Sequence, residues 1–192
     1  MPALPTTARG TATSRRILDA AAGEFAGRGI AGARVDRIVA AANTNKAQLY
    51  GYFGSKDGLF DAVVADSVDQ FTNAVPFDAS DIAGWAAGLY DEMLRRPDLI
   101  RLITWLRLER RPAGLITDAV GHEPKLTDIA RAQAAGRLRP GDPFDLLTLV
   151  IAMACAWSPA SGIYTATADE PAAEHDRRRA LLRESVRRAV AP

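Results

Sequence analysis

Between Ser14 and Phe71 the apolar residues recur every third or fourth position, in four short blocks separated by glycine, asparagine and serine. In the first block Ile17, Leu18, Ala21 and Phe25 share one helical face, with Ser14 as N-cap and Gly27 and Gly29 as stop signals. The second, Val35 to Ala42, makes barely two turns and is closed by Asn43, a residue type that tolerates the left-handed backbone of a helix end. Asn45 then caps a third helix, Lys46 to Phe53, whose Leu49 and Phe53 lie four apart on the inner side. Gly54 breaks the chain, Ser55 caps again, and Lys56 to about Asn73 turns Leu59, Phe60, Val63, Val64 and Phe71 inward before Pro76.

Longer helical segments follow: Ser80–Arg96, Pro97–Arg110, a broken stretch Gly114–Gly136, Pro143–Trp157 and Ala172–Val190. Pro97 and Pro143 stand where a first turn accepts proline, and Gly136 and Gly162 stand where helices stop. No segment alternates with the period of two that strands require. The pattern predicts an all-α protein of about nine helices, with a disordered arm at 1–13, a small unit at 14–60 and a larger one at 61–192. With the fourth helix counted in the small unit, the division falls near residue 75.

Charge sharpens this division. The net charge is only +1, yet residues 1–60 hold eight Arg and Lys against four Asp and Glu, leaving the remainder mildly acidic. A polyanion is thus expected at one end of the molecule only. Cys155 is the single cysteine, so no intramolecular disulfide can form, and the small thiol in IAMACAW reads as core. The N-terminus lacks a signal-peptide apolar region, and the longest apolar run, Leu146 to Trp157, is too short to span a bilayer. A cytoplasmic protein without membrane contact is expected.

Two short helices joined by a turn of about three residues fit a helix-turn-helix, in which the second helix enters the DNA major groove. With Leu49 and Phe53 directed to the core, Lys46, Ala47, Gln48, Gly51 and Tyr52 remain on or near the outer side. Ala47 and Gly51 let the backbone come close, and the Gln48 carboxamide can meet adenine N6 and N7. Lys46, Tyr50, Tyr52 and Lys56 can reach phosphates, which position a helix without reading sequence.

From Arg15 to Val64, the blocks ILDAAAGEFAGRG and VDRIVAAANTNKAQLYGYFGSKDGLFDAV closely resemble the DNA-binding domain of the TetR/AcrR family of bacterial repressors. The resemblance rests on Leu49-Tyr50-x-Tyr52-Phe53-x-Ser55-Lys56, with Phe25 and Gly29 at the expected distance upstream. It implies three N-terminal helices for DNA, a helical C-terminal domain for dimerisation and effector binding, and DNA contacts from Lys46, Ala47, Gln48, Tyr50, Tyr52 and Lys56. Three positions depart from the pattern. Asn43 stands in place of glycine, Gly51 in place of a larger residue, and Asp36 where some relatives carry a basic residue. Asp36 suits the N-terminal dipole of the second helix, which leaves Arg34 and Arg37 as its phosphate contacts. The residues expected to meet DNA are thus Arg34, Arg37, Asn45, Lys46, Ala47, Gln48, Tyr50, Gly51, Tyr52 and Lys56.

In the larger domain, PDLIRLITWLRLERR places Leu99, Ile103, Leu106 and Glu109 near one another with Trp105 beside them. Core packing accounts for this pattern, and so does the wall of a pocket, where a tryptophan beside an acid suits an aromatic or cationic molecule. Candidate pocket residues are Trp85, Tyr90, Met93, Trp105, Glu109 and Met153. The resemblance implies that the last two helices, Pro143–Trp157 and Ala172–Val190, pair with their copies in a homodimer. Phe144, Leu147, Val150, Ile151 and Ala154 form an apolar band there, whereas Arg177–Arg179, Arg183, Arg187 and Arg188 read as a solvated face.

Enzymatic chemistry finds no support. His122 and His175 lack metal-ligand spacing, there is no glycine-rich phosphate loop, and Cys155 has no histidine near it in sequence. Both histidines read as surface residues, and no catalytic residue, metal or cofactor is expected. The function expected is a dimeric repressor that leaves a pseudo-palindromic double-stranded DNA operator when a small organic effector binds. The alternative is a ligandless dimeric DNA-binding or partner-binding scaffold.

Overall fold

The computed structural model describes residues 8–110 and 122–192. Among them the chain forms nine α-helices: α1 Ala8–Gly32, α2 Val35–Ala41, α3 Lys46–Phe53, α4 Lys56–Ala74, α5 Ile82–Arg95, α6 Pro97–Arg110, α7 Glu123–Ala134, α8 Pro143–Ala154 and α9 Ala172–Val190. The all-α expectation holds. Residues 1–7 of the arm and residues 111–121, which include Arg111 and the first part of the broken stretch Gly114–Gly136, lie outside the described residues.

The helices group into two units. One comprises the described residues of Met1–Gln70 and Arg101–Ile116, the other those of Phe71–Ile100 and Thr117–Pro192. The boundary between these groups thus lies beyond residue 60. The first unit runs on to Gln70 and also takes back the C-terminal part of α6, because Leu102 and Leu106 are buried with the residues of α1 to α4.

In the first unit Ile17, Ala21 and Phe25 of α1 meet Ile38 of α2, Leu49 and Phe53 of α3 and Leu59, Phe60 and Val63 of α4. Each large side chain so buried contributes about 1.5–3 kcal/mol. Phe25 meets Phe60 edge to face at 5.1 Å between ring centroids. At the rim Arg15 joins Asp19 at 2.6 Å and Asp66 at 2.8 Å, and Arg110 pairs with Asp57 and Asp61.

Helix α1 starts at Ala8, six residues before the expected Ser14 cap. Residues 8–13 are therefore helical. Gly10, Thr13 and Ser14 are buried, so this turn gains cover that its composition did not promise. The stop at Gly29 takes the form of a kink. Gly29 has φ 68° and ψ 179°, a region essentially restricted to glycine, and the chain then makes one more turn to Gly32.

The second unit is built on α5, which buries Ile82, Trp85, Ala86, Leu89, Tyr90 and Met93 against α8 and α9. Asp81 caps α5 by accepting from Gly84 N at 2.8 Å. Asp142 caps α8, with Pro143 in its first turn and acceptance from Phe144 N at 2.7 Å. Leu147, Val150 and Ala154, expected in a dimer band, belong instead to this core. The face that α8 leaves outward carries Phe144, Thr148, Leu149 and Ala152.

Candidate nucleic-acid interface

The turn between α2 and α3 follows the chemistry of its asparagines. Asn43 sits at φ 48°, and Asn45 accepts from Gln48 N at 2.9 Å as the N-cap of α3. Gly54 ends α3 at φ 74°, and Ser55 Oγ accepts from Gly58 N at 2.9 Å to open α4. Caps of this kind are each worth about 1 kcal/mol. A helix of only eight residues needs them.

Tertiary burial then fixes which side of α3 faces out. Leu49 and Phe53 are buried, Tyr52 is half-buried against the same core, and Lys46, Ala47, Gln48, Tyr50 and Gly51 are exposed. A Cβ added at Gly51 would meet nothing within 4 Å. The fold itself therefore does not demand glycine there.

The polar side chains of this face are less free than their types suggest. Lys46 Nζ lies 2.8 Å from Asp36 Oδ1, an exposed ion pair that links the first turns of α2 and α3. The Asp36 carboxylate raises the Lys46 ammonium above its ordinary value. Thr44 Oγ donates to Gln48 Oε1 at 2.5 Å, which orients the carboxamide and engages its acceptor. The Gln48 amide group is left to face outward as a donor. Sequence reasoning named Gln48 but missed Thr44, whose only signal was a hydroxyl four residues earlier.

Two of the expected phosphate contacts have side chains engaged within the fold. Arg37 donates to Glu24 from Nε at 2.9 Å and from Nη2 at 2.5 Å, and also to Gly32 O at 3.1 Å. Its guanidinium holds the Glu24 carboxyl below the usual carboxylate range. Arg37 thus ties α2 to α1 and is not a free cation. Lys56 Nζ donates to Ala33 O at 3.3 Å. Arg34 remains exposed at the start of α2; its backbone N–H donates to Glu24 Oε1 at 3.0 Å.

Residues 17–63, which enclose this face, match the profile of bacterial regulatory proteins of the tetR family, and residues 81–188 match that of the tetracyclin repressor-like C-terminal domain. The chain belongs to the tetR family. It is 40% identical over 147 residues to the HTH-type transcriptional repressor SCO4008 of Streptomyces coelicolor, covering 74% of this chain and 77% of that protein. The solved structure of SCO4942 from the same organism matches with a TM-score of 0.75 and 35% identity, over 93% of this chain and 98% of that one. A TetR family transcription regulator from Marinobacter aquaeolei shares the fold at a TM-score of 0.70 and 21% identity, over 95% and 97% of the two chains. This tetR-family chain is accordingly a DNA-binding transcriptional regulator, a non-enzymatic class.

The candidate effector residues do not form one group. Trp105 and Glu109 belong to the first unit, where they hold the kink of α1. Trp105 Nε1 donates to Ala26 O at 3.2 Å, and Glu109 accepts from Ile30 N at 2.8 Å and Ala31 N at 3.2 Å. The Glu109 carboxylate is thus engaged by backbone donors at the kink. The conspicuous Gly29 was the signal. Its missing Cβ would lie 2.5 Å from Glu109 Oε1 and 2.8 Å from Trp105 Cε3.

Trp85, Tyr90 and Met93 do come together on the buried face of α5, with Met153 half-buried against the same core. Trp85 packs edge to face on Phe77 at 5.0 Å between centroids. Tyr90 and Met93 line a cavity of about 10 Å³, together with Leu94, Trp157 and Ala166. The two histidines and the arginine run also need correction. His175 and Arg178 are buried, because the inward stripe of α9 is His175, Arg178, Leu182, Val186 and Val190. His122 is half-buried, and desolvation together with the nearby Lys125 lowers its pKa below the ordinary value. Among the described residues no group of three or more His, Cys, Asp or Glu could hold a metal, and no helix is long and apolar enough to cross a membrane.

Proposed function

We propose that this regulator is a cytoplasmic, homodimeric, ligand-responsive repressor that reads a pseudo-palindromic operator with α3. The exposed row Lys46, Ala47, Gln48, Tyr50 and Gly51 on a helix capped at both ends carries the reading. Small side chains at Ala47 and Gly51 permit close approach of the backbone. Gln48 reads base edges, and Arg34, Lys46, Tyr50 and Tyr52 position the helix on phosphates. Repression is the activity named for the SCO4008 relative.

The dimer reading draws on α8 and α9, whose outward faces hold Leu149 at 46% exposure and Leu181 at 52% beside Thr148, Ala152 and Ala180. A twofold axis through such a face would set two copies of α3 on two half-sites. Ligand response requires that the effector bind the DNA-incompetent state more tightly, since equal affinity for both states shifts nothing. The scaffold reading draws on the small size of the cavity at Tyr90 and Met93.

Selection of a preferred site from random duplexes, followed by mobility-shift titration, tests the DNA reading. Lys46→Ala should weaken selected and random DNA alike and lower the salt slope by about one, whereas Gln48→Ala should relax preference at one position of each half-site. Unchanged affinity and preference in both variants would remove α3 from the interface. Leu149→Glu should convert the dimer to a monomer by light scattering; a persistent dimer would place the interface elsewhere.

A further inference from the structure

Two titratable side chains occupy core positions at the head of α9 in the second unit. Arg178 is 4% exposed and His175 6%, and a buried guanidinium is costly unless its charge and its N–H groups are matched. Arg178 Nη2 donates to Glu170 at 2.6 Å, whereas Arg178 Nε and Nη1 and His175 Nε2 make no well-formed hydrogen bond among the described residues. His175 Nδ1 lies 2.7 Å from the Tyr90 hydroxyl, and the Arg178 guanidinium stands beside the same hydroxyl. A cation next to the phenol oxygen turns the O–H toward Nδ1, which leaves the imidazole proton on Nε2. All three unmatched nitrogens are then donors. Donors gathered round one hydroxyl suit an anion and repel a cation.

The apolar part lies against Tyr90. Its ring lines the cavity with Met93, Leu94, Trp157 and Ala166, and Trp157 packs edge to face on it at 5.8 Å between centroids. The connection between Trp157 and Pro171 covers this place. Ala166 N donates to Trp157 O at 2.9 Å, Tyr164 lies 5.1 Å from the Arg178 guanidinium carbon, and Glu170 supplies the carboxylate on Arg178. One carboxylate of the chain itself thus already occupies part of the donor set.

We propose that Arg178 and His175 form the acid-binding end of the effector site, and that the effector is a small organic carboxylate with an aromatic or apolar body. Its carboxylate replaces Glu170 on Arg178, and its body enters beside Tyr90, Met93 and Trp157. The inference rests on the ligand-responsive reading above. It replaces the expected cationic effector, because Glu109, the acid on which that expectation leaned, caps backbone amides of the first unit. Exchange of one carboxylate for another keeps the buried charge paired throughout. Release of Glu170 also frees the covering connection, so the space beside Tyr90 can grow to the size of the ligand.

The test uses the full chain, with benzoate, phenylacetate and decanoate as probes against benzamide, benzylamine and decylamine. Tryptophan fluorescence and release of selected DNA are read for each. The acids should bind and the amides and amines should not. Arg178→Gln should lose acid binding by roughly tenfold or more, and Glu170→Gln, which removes the competing charge while keeping the side chain's shape, should tighten it roughly tenfold. Amines or amides that bind as well as the acids overturn the inference and leave the effector reading standing. Acid affinity unchanged or weakened in Glu170→Gln does the same, and this variant decides alone if Arg178→Gln does not fold. A chain that binds DNA but responds to neither set overturns the effector reading together with the inference.

Discussion

Gly29→Ala tests how the first unit holds its shape. Any L side chain at φ 68° and ψ 179° costs about 1–3 kcal/mol of backbone strain. The new methyl would also stand 2.5 Å from Glu109 Oε1 and 2.8 Å from Trp105 Cε3, so the carboxylate must leave Ile30 N and Ala31 N, at about 0.5–1.5 kcal/mol for each hydrogen bond. The loss sums to about 2–6 kcal/mol. At roughly 2–4 °C per kcal/mol for a chain of this size, melting should fall by about 4–24 °C by circular dichroism. Gly27→Ala is the matched control. Its Cβ would meet nothing within 4 Å inside α1, so it should stabilise the helix by about 0.5–1 kcal/mol. Melting of Gly29→Ala within about 2 °C of the parent would refute the assigned kink and the roles of Trp105 and Glu109 with it.

Thr44→Val removes the hydroxyl that engages Gln48 Oε1; base preference at one position should broaden in a site-selection experiment while affinity for random DNA stays the same. Gly51→Ala should raise stability by up to ~1 kcal/mol in denaturant unfolding, since its Cβ meets no neighbour, yet weaken binding to selected DNA; a gain in both would mean that the backbone does not approach the groove there. Glu170 sits below its ordinary value of 4.5, at about 2, first because Arg178 donates to it and then because Thr167 N does. A depressed carboxyl stabilises the fold above the unfolded value and loses that contribution as pH falls through the folded one. The stability gap between parent and Glu170→Gln should therefore be full above pH 4.5 and close toward pH 2 in acid titrations; a gap independent of pH would deny the ionised pair.

Much of the first unit was legible because the signals act over a few residues. Asn43 and Asn45 delimit the turn, Ser55 caps α4 through the amide three residues on, and the four-residue spacing of Leu49 and Phe53 tells which side of α3 faces out. Capping and periodicity need no distant partner. The assignment of charged side chains did need one. Arg37 reads as a phosphate contact until Glu24, thirteen residues away, accepts from it, and Glu109 reads as a pocket acid until the amides of Ile30 and Ala31, almost eighty residues away, donate to it. The same limit governs α9. Three consecutive arginines look alike in sequence, and only the packing of α9 on α5 sends Arg177 to solvent and Arg178 to the Tyr90 hydroxyl. The sequence by itself determined where α2, α3 and α4 begin and end, to within a residue, and which face of α3 is outward. Tertiary structure decided which charges are spent in holding the fold and which are left for a ligand, because a charge's role depends on acceptors that only folding brings near.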